Sequence, residues 1–143
     1  MTIIMKLARV LSLAGLMLAA SFASAEVVVI VNQDAPINGA TAADIQQLFL
    51  GKRNDINGVS LTPVDQSEGN PSRDVFYEKV IEKTPSQLNA YWSRLIFTGK
   101  AKPPKKYFDD AEVLETVMEE EDAIGYIDAA QVAEGVKVIY TVQ

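Results

Sequence analysis

Nowhere does the chain gather charged, hydroxyl and glycine residues as densely as in Asp65-Gln66-Ser67-Glu68-Gly69-Asn70-Pro71-Ser72-Arg73-Asp74. The run is polar throughout. It lies between an apolar stretch, Leu61-Thr62-Pro63-Val64, and Val75, Phe76 and Val80 at helical spacing, so it reads as the turn joining a strand to a helix. The first N–H groups of a helix have no acceptor inside it, which leaves those of Ser72 and Arg73 as donors. With the Ser72 hydroxyl and the Arg73 guanidinium beside them, the chemistry on offer is the holding of a small anion. A purely structural reading is the simpler one: Asn70 caps the helix, Pro71 takes the first helical position and Arg73 is a surface residue.

Composition closes most other chemistries. The 143 residues include no cysteine and no histidine, which removes Cys–His and Ser–His nucleophiles, His/Cys zinc sites and disulfides. The acids and bases that remain are carboxylates, lysines and tyrosines without a recognisable constellation. No catalytic residue, metal or cofactor is assigned, and the chain reads as a non-enzyme. Asp34, Asp65 and Asp128 fall at or just past expected strand ends, where open α/β sheets place their crevices, but their spacing is not that of a metal site. Phe76, Tyr77, Tyr91, Trp92 and Phe97 sit at helical spacing and are expected in the core rather than as an aromatic platform.

The elements that must position the turn are legible from periodicity. Residues 1–25 read as a secretory signal: Lys6 and Arg9 are the only charges, Val10 to Ala20 is almost wholly apolar, and Ala23-Ser24-Ala25 gives a small-residue cleavage pattern. The apolar run is short of the ~20 residues a membrane span needs, and no cysteine follows it for a lipid anchor. Cleavage after Ala25 leaves 118 residues with 11 basic and 19 acidic groups, a net charge of −8. Nucleic acid is excluded as a partner on that balance, because Lys100, Lys102, Lys105 and Lys106 form the only basic cluster and read as a solvated loop around Pro103-Pro104.

Within 26–143 one domain is expected. Val27 to Val31, all β-branched, should be a strand buried on both faces. Thr41 with Asp44 three residues on starts a helix bearing Ile45, Leu48 and Phe49, which Gly51 closes. Thr84-Pro85 starts another with Leu88, Trp92, Leu95 and Ile96, and Asp109 or Asp110 caps a third bearing Val113, Leu114, Val117 and Met118. Glu119 to Asp122 then set four acids against the helix dipole, a candidate fraying point or basic-partner site. Ala123–Ile127 and Val136–Tyr140 are the last strands. Alternating strands and helices imply an α/β fold with a mainly parallel or mixed sheet flanked by helices.

Several of these stretches together resemble the phosphate-binding branch of the type II periplasmic substrate-binding proteins, the receptors of ABC importers. Val27 to Lys52, with its Leu48-Phe49-Leu50-Gly51-Lys52 ending, resembles the opening of the family's second lobe. Phe76-Tyr77, Tyr91-Trp92, Phe97-Thr98-Gly99-Lys100 and Ala123-Ile124-Gly125-Tyr126 continue the match. The resemblance implies one lobe of a periplasmic-binding-protein-like fold, located in the periplasm. It implies weak binding of phosphate or another small anion at Gln66, Ser67, Gly69, Asn70, Ser72 and Arg73. In the family the grip is an arginine, a spacer and Gly-Ser-Gly-Thr; here Gln66 stands for the arginine, Pro71 removes a donor and Glu68 adds a carboxylate. The chain has no room for the family's first lobe, so the ligand stays half solvated unless a homodimer, an importer or a sensor protein covers it. The alternative is a non-enzymatic partner or sensor-accessory module that has lost its ligand.

The signal reading has a direct check. The intact mass of the exported chain should be that of residues 26–143, recovered in the soluble periplasmic fraction; a mass retaining 1–25 in the membrane fraction contradicts it.

Overall fold

Five β-branched residues in succession leave a strand no polar face, and Val27–Asn32 (β1) accordingly runs through the middle of the molecule with every residue buried. The computed structural model describes residues 26–143, so the segment 1–25, read from sequence as a signal, lies outside the described residues. Along β1 the side chains alternate between two cores: Val27, Val29 and Val31 face one, Val28 and Ile30 the other.

The first core is closed by three helices. Ala42–Phe49 (α1) starts at Thr41, whose hydroxyl accepts from the Asp44 N–H while the Asp44 carboxylate accepts from the Thr41 N–H, the expected capping box. A small hairpin of Asp55–Ile56 (β2) and Val59–Ser60 (β3) comes next, and Thr62–Gln66 (β4) follows. Pro71–Phe76 (α2) continues into a π-helical turn, Tyr77–Ile81, closed by Glu82 in the left-handed region at φ 57°. Pro85–Phe97 (α3) has a second capping box, between Thr84 and Gln87. Phe76, Trp92 and the α1 face pack together here, with Phe49 and Phe76 edge-to-face at 4.9 Å.

Lys105–Tyr107 (β5) leads to Asp110–Glu119 (α4), which alone covers the second core through Val113 and Val117. Ala123–Asp128 (β6), a short 3₁₀ turn at Ala129–Gln131, and Val136–Thr141 (β7) complete the chain. The five-stranded sheet has the order β5-β4-β6-β1-β7. β4 pairs in parallel with β5 and β6, and β1 pairs antiparallel with β6 and β7, so the sheet is mixed. Three parallel neighbours therefore deliver their carboxyl ends to one side: Gln66, Tyr107 and Asp128. Among the described residues no helix is long and apolar enough to cross a membrane.

Two sequence expectations are corrected. Lys105 and Lys106 are not loop but part of the edge strand β5, whose exposed lysines have no apolar alternation to betray it and guard an unpaired edge. Phe97 does not join the aromatic core; it is the last residue of α3 and is 92% exposed. Phe76→Ala and Trp92→Ala should each cost about 3–5 kcal/mol in urea unfolding. Phe97→Ala should stay within about 0.5 kcal/mol of wild type. Equal midpoints for Trp92→Ala and wild type contradict this packing.

Candidate functional site

The polar turn of residues 65–74 sits where the sequence places it, between the carboxyl end of β4 and the start of α2. Because β5 and β6 run parallel to β4, the start of α4 and the Ala129–Gln131 turn arrive at the same end. A cavity of about 110 Å³ lies among Gln66, Asn70, Ser72, Asp109, Asp110 and Gln131.

At its base is a buried charge cluster. Asp65 is 2% exposed, and its Oδ2 accepts from Arg73 Nη1 at 2.8 Å. The same oxygen accepts from the Tyr77 hydroxyl, while Oδ1 accepts from the Tyr126 hydroxyl and from the Gln66 N–H. Arg73 also donates to the Gln66 carbonyl at 3.0 Å and lies over the Tyr77 ring, 4.2 Å from its centroid. Arg73 is thus neither a surface residue nor a free fork for a ligand: at 6% exposure its charge is spent on Asp65.

Above this base the remaining polar side chains have partners within the protein. Gln66 Nε2 donates to Asp110 Oδ1 at 2.6 Å and to the Tyr126 carbonyl at 2.8 Å. Ser72 Oγ donates to Asp110 Oδ2 at 3.1 Å. Ser67 Oγ donates to the Tyr107 carbonyl, and Asn70 Nδ2 to the Phe108 carbonyl, so Asn70 holds the N-cap position without a side-chain capping bond. Pro71 takes the first helical position as expected. Gly69, at φ 93°, makes the turn possible, since an L side chain is strained there.

Gln66 is fully buried and its Oε1 has no hydrogen-bond partner. An orphaned buried acceptor costs on the order of 1–3 kcal/mol. Its orientation is nevertheless unambiguous, because both groups facing Nε2 are acceptors. Of the six candidate residues, only Gln66 and Ser72 close on an internal carboxylate, Asp110, which sequence reasoning proposed only as a helix cap; Ser67 and Asn70 donate to backbone carbonyls and Arg73 to Asp65. Of the three aspartates at strand ends, Asp65 holds the cluster and Asp128 caps the 3₁₀ turn through the Ala130 N–H; Asp34 is exposed, its N–H donating to Asn32. Larger hollows of about 700 and 730 Å³ lie away from this cavity, one along Lys52, Arg53, Lys102 and Lys105, the other between the turn and α3.

Burial raises the Tyr77 and Tyr126 hydroxyls above the ordinary phenol range, and the negative Asp65 they face raises them further. For Arg73 burial is the largest single influence and opposes the charge, but Asp65 together with the Tyr77 and Tyr126 hydroxyls outweighs it and the guanidinium pKa is raised.

Neither a family model nor a curated protein sequence matches the chain. Solved structures do. A Clostridium perfringens protein described as a phosphate ABC transporter substrate-binding protein, crystallised with phosphate, superposes with a TM-score of 0.63 at 19% identity over 80% of this chain and 44% of its own. An ABC-type phosphate transport receptor of Vibrio cholerae gives 0.64 at 17% identity over 80% and 45%. PstS of Borrelia burgdorferi gives 0.59 at 14% over 80% and 46%. The chain has the fold of one lobe of phosphate ABC transporter substrate-binding proteins. It spans less than half the length of each of these receptors.

The tyrosine shifts predict an alkaline limit. An unfolded tyrosine loses its proton near pH ~10, whereas Tyr77 and Tyr126 keep theirs in the folded chain. The stability this reflects is complete below that pH and falls as pH rises above it, by up to about 1.4 kcal/mol per pH unit for each tyrosine. Urea unfolding measured in steps from about pH 8 to 11 should show that slope, and Tyr77→Phe should reduce it. A flat profile contradicts the buried hydroxyls.

Proposed function

We propose that the protein is an exported, non-enzymatic solute-receptor lobe of the phosphate-importer type, cleaved after Ala25 and periplasmic, that binds a phosphate-class oxyanion weakly at the turn Gln66–Arg73. The observation that carries the reading is that Gln66 Nε2 and Ser72 Oγ already converge on an oxyanion, the Asp110 carboxylate, at 2.6 and 3.1 Å. The receptor fold, with the turn at the carboxyl end of a parallel strand, supports it.

Magnitudes set the affinity. With Arg73 committed to Asp65, two side-chain donors remain, each worth about 1.5–3 kcal/mol to a charged acceptor when shielded from water. The two together offer roughly 3–6 kcal/mol before the bonds they already make to Asp110 are given up, against about 4 kcal/mol for a Kd of 1 mM, so millimolar or weaker binding is expected of the isolated lobe. The net charge of −8 on residues 26–143 opposes anion approach at low salt.

A second reading, a module that serves an importer, a sensor or a second copy of itself and has no ligand of its own, draws on Phe108. This ring is 72% exposed beside the site, where a covering protein would bury it. A thermal shift series with phosphate, sulfate and chloride at matched ionic strength separates the two. Phosphate at ten times a millimolar Kd should stabilise by about 1.4 kcal/mol, sulfate should act similarly, chloride should not, and Ser72→Ala should weaken the response. No oxyanion-specific shift at tens of millimolar puts the partner module ahead.

A further inference from the structure

We propose that Asp110 is an internal competitor for the oxyanion site: its carboxylate occupies the ligand position, and phosphate enters only by displacing it. The inference rests on the oxyanion reading of the turn and adds what controls it.

Hydrogen inventory carries the argument. Gln66 has two amide protons; one goes to Asp110 Oδ1 at 2.6 Å and the other to the Tyr126 carbonyl at 2.8 Å. Ser72 has a single hydroxyl proton, given to Asp110 Oδ2 at 3.1 Å. While Asp110 stays in place neither side chain has a proton to offer, and an incoming anion also meets a like charge.

The carboxylate is not the helix's cap. Asp109 is the N-cap of α4, its side chain accepting from the Glu112 N–H at 3.0 Å, so the capping role is already filled. Asp110 instead reaches residues 44 and 38 positions away in the chain. Its two oxygens take one donor each from two segments, as two oxygens of a bound tetrahedral anion would. The adjoining cavity of about 110 Å³ gives a displacing ligand or the departing carboxylate somewhere to go. Gln66 leaves its Oε1 unpartnered while its donor end faces both Asp110 and the Tyr126 carbonyl, so the end it turns toward the oxyanion position is the one that can donate.

The test is a phosphate titration, by calorimetry and by amide chemical shifts, of wild type, Asp110→Asn, Asp110→Ala and Glu115→Gln. Glu115 is exposed on α4, and its substitution removes one negative charge away from the site. Melting curves establish that each variant is folded, and the near-isosteric Asp110→Asn serves if Asp110→Ala does not fold. Both Asp110 variants should bind phosphate at least tenfold more tightly than wild type, with shifts at the Ser72 and Arg73 amides, and Glu115→Gln should match wild type. Adding Ser72→Ala to the Asp110 variant should cancel the gain. Equal affinity in wild type and Asp110 variants overturns the competitor while leaving the oxyanion site standing. An equal gain in Glu115→Gln overturns it in favour of general charge. Absence of phosphate binding in every folded variant at tens of millimolar overturns both the competitor and the oxyanion reading.

Discussion

One buried negative charge organises the carboxyl end of the sheet. Taking an ionised carboxylate out of water is tolerated only when a counter-charge and hydrogen bonds replace the solvent. Asp65 obtains them from Arg73, Tyr77, Tyr126 and the next backbone N–H. Those partners belong to α2, the π-helical turn and β6, so a single charge dictates how the chain leaves β4 and where the Tyr126 ring stands. Such a pair adds little net stability over an apolar replacement, but removing one member strands the other at about 3–5 kcal/mol. Its effect on function follows from the same economy of groups: the only arginine in the turn cannot both neutralise Asp65 and clamp a ligand.

A second constraint is steric and places the internal carboxylate. A Cβ on Gly125 of β6 would lie 2.6 Å from Val113 Cγ1 and 3.0 Å from Val64 Cγ2, so α4 can approach the sheet this closely only over a glycine. Asp110 precedes Val113 by three residues, about one turn, on the same face of the helix. The close approach that buries Val113 therefore brings the Asp110 carboxylate to Gln66 and Ser72. On the opposite face Phe76 stacks on Tyr126 at 4.0 Å with the rings 10° from parallel, which fixes the tyrosine whose carbonyl takes the other Gln66 proton.

What the sequence makes legible is local. The capping box at Thr41, the Thr84 cap followed by proline, the two-sided strand at Val27–Val31 and the strand–turn–helix around Gly69 all depend on residues within a few positions of one another, and each appears as expected. β5 escaped because an edge strand needs apolar contact on neither exposed side, and Phe97 misled because helical spacing gives no warning that a helix has run past the core. The ionic partner of Arg73 lies eight residues away across a turn, and no periodicity selects Asp65 over Glu68 or Asp74. Asp110 carried one faint signal: two successive aspartates at a helix start, one more than capping requires.

The way α4 is held decides how its carboxylate can leave. At the helix's far end buried Asn32 donates from Nδ2 to the Val117 and Met118 carbonyls, both at 3.0 Å, which satisfies acceptors that the helix cannot satisfy itself. At the near end Asp109 caps, and the Phe108 N–H is held by Glu112 at 2.7 Å. Between them Val113 sits against Gly125 with no slack for a slide. With both ends tied and the middle packed, α4 has no low-cost rigid-body shift, so Asp110 leaves Gln66 and Ser72 by rotating its own short side chain. Displacement is then a local exchange of one oxyanion for another on the same two donors. An isolated lobe in which ligand and carboxylate are both half solvated offers little differential interaction to drive that exchange, whereas a covering protein that excludes water on one side would strengthen whichever anion makes the better set of bonds.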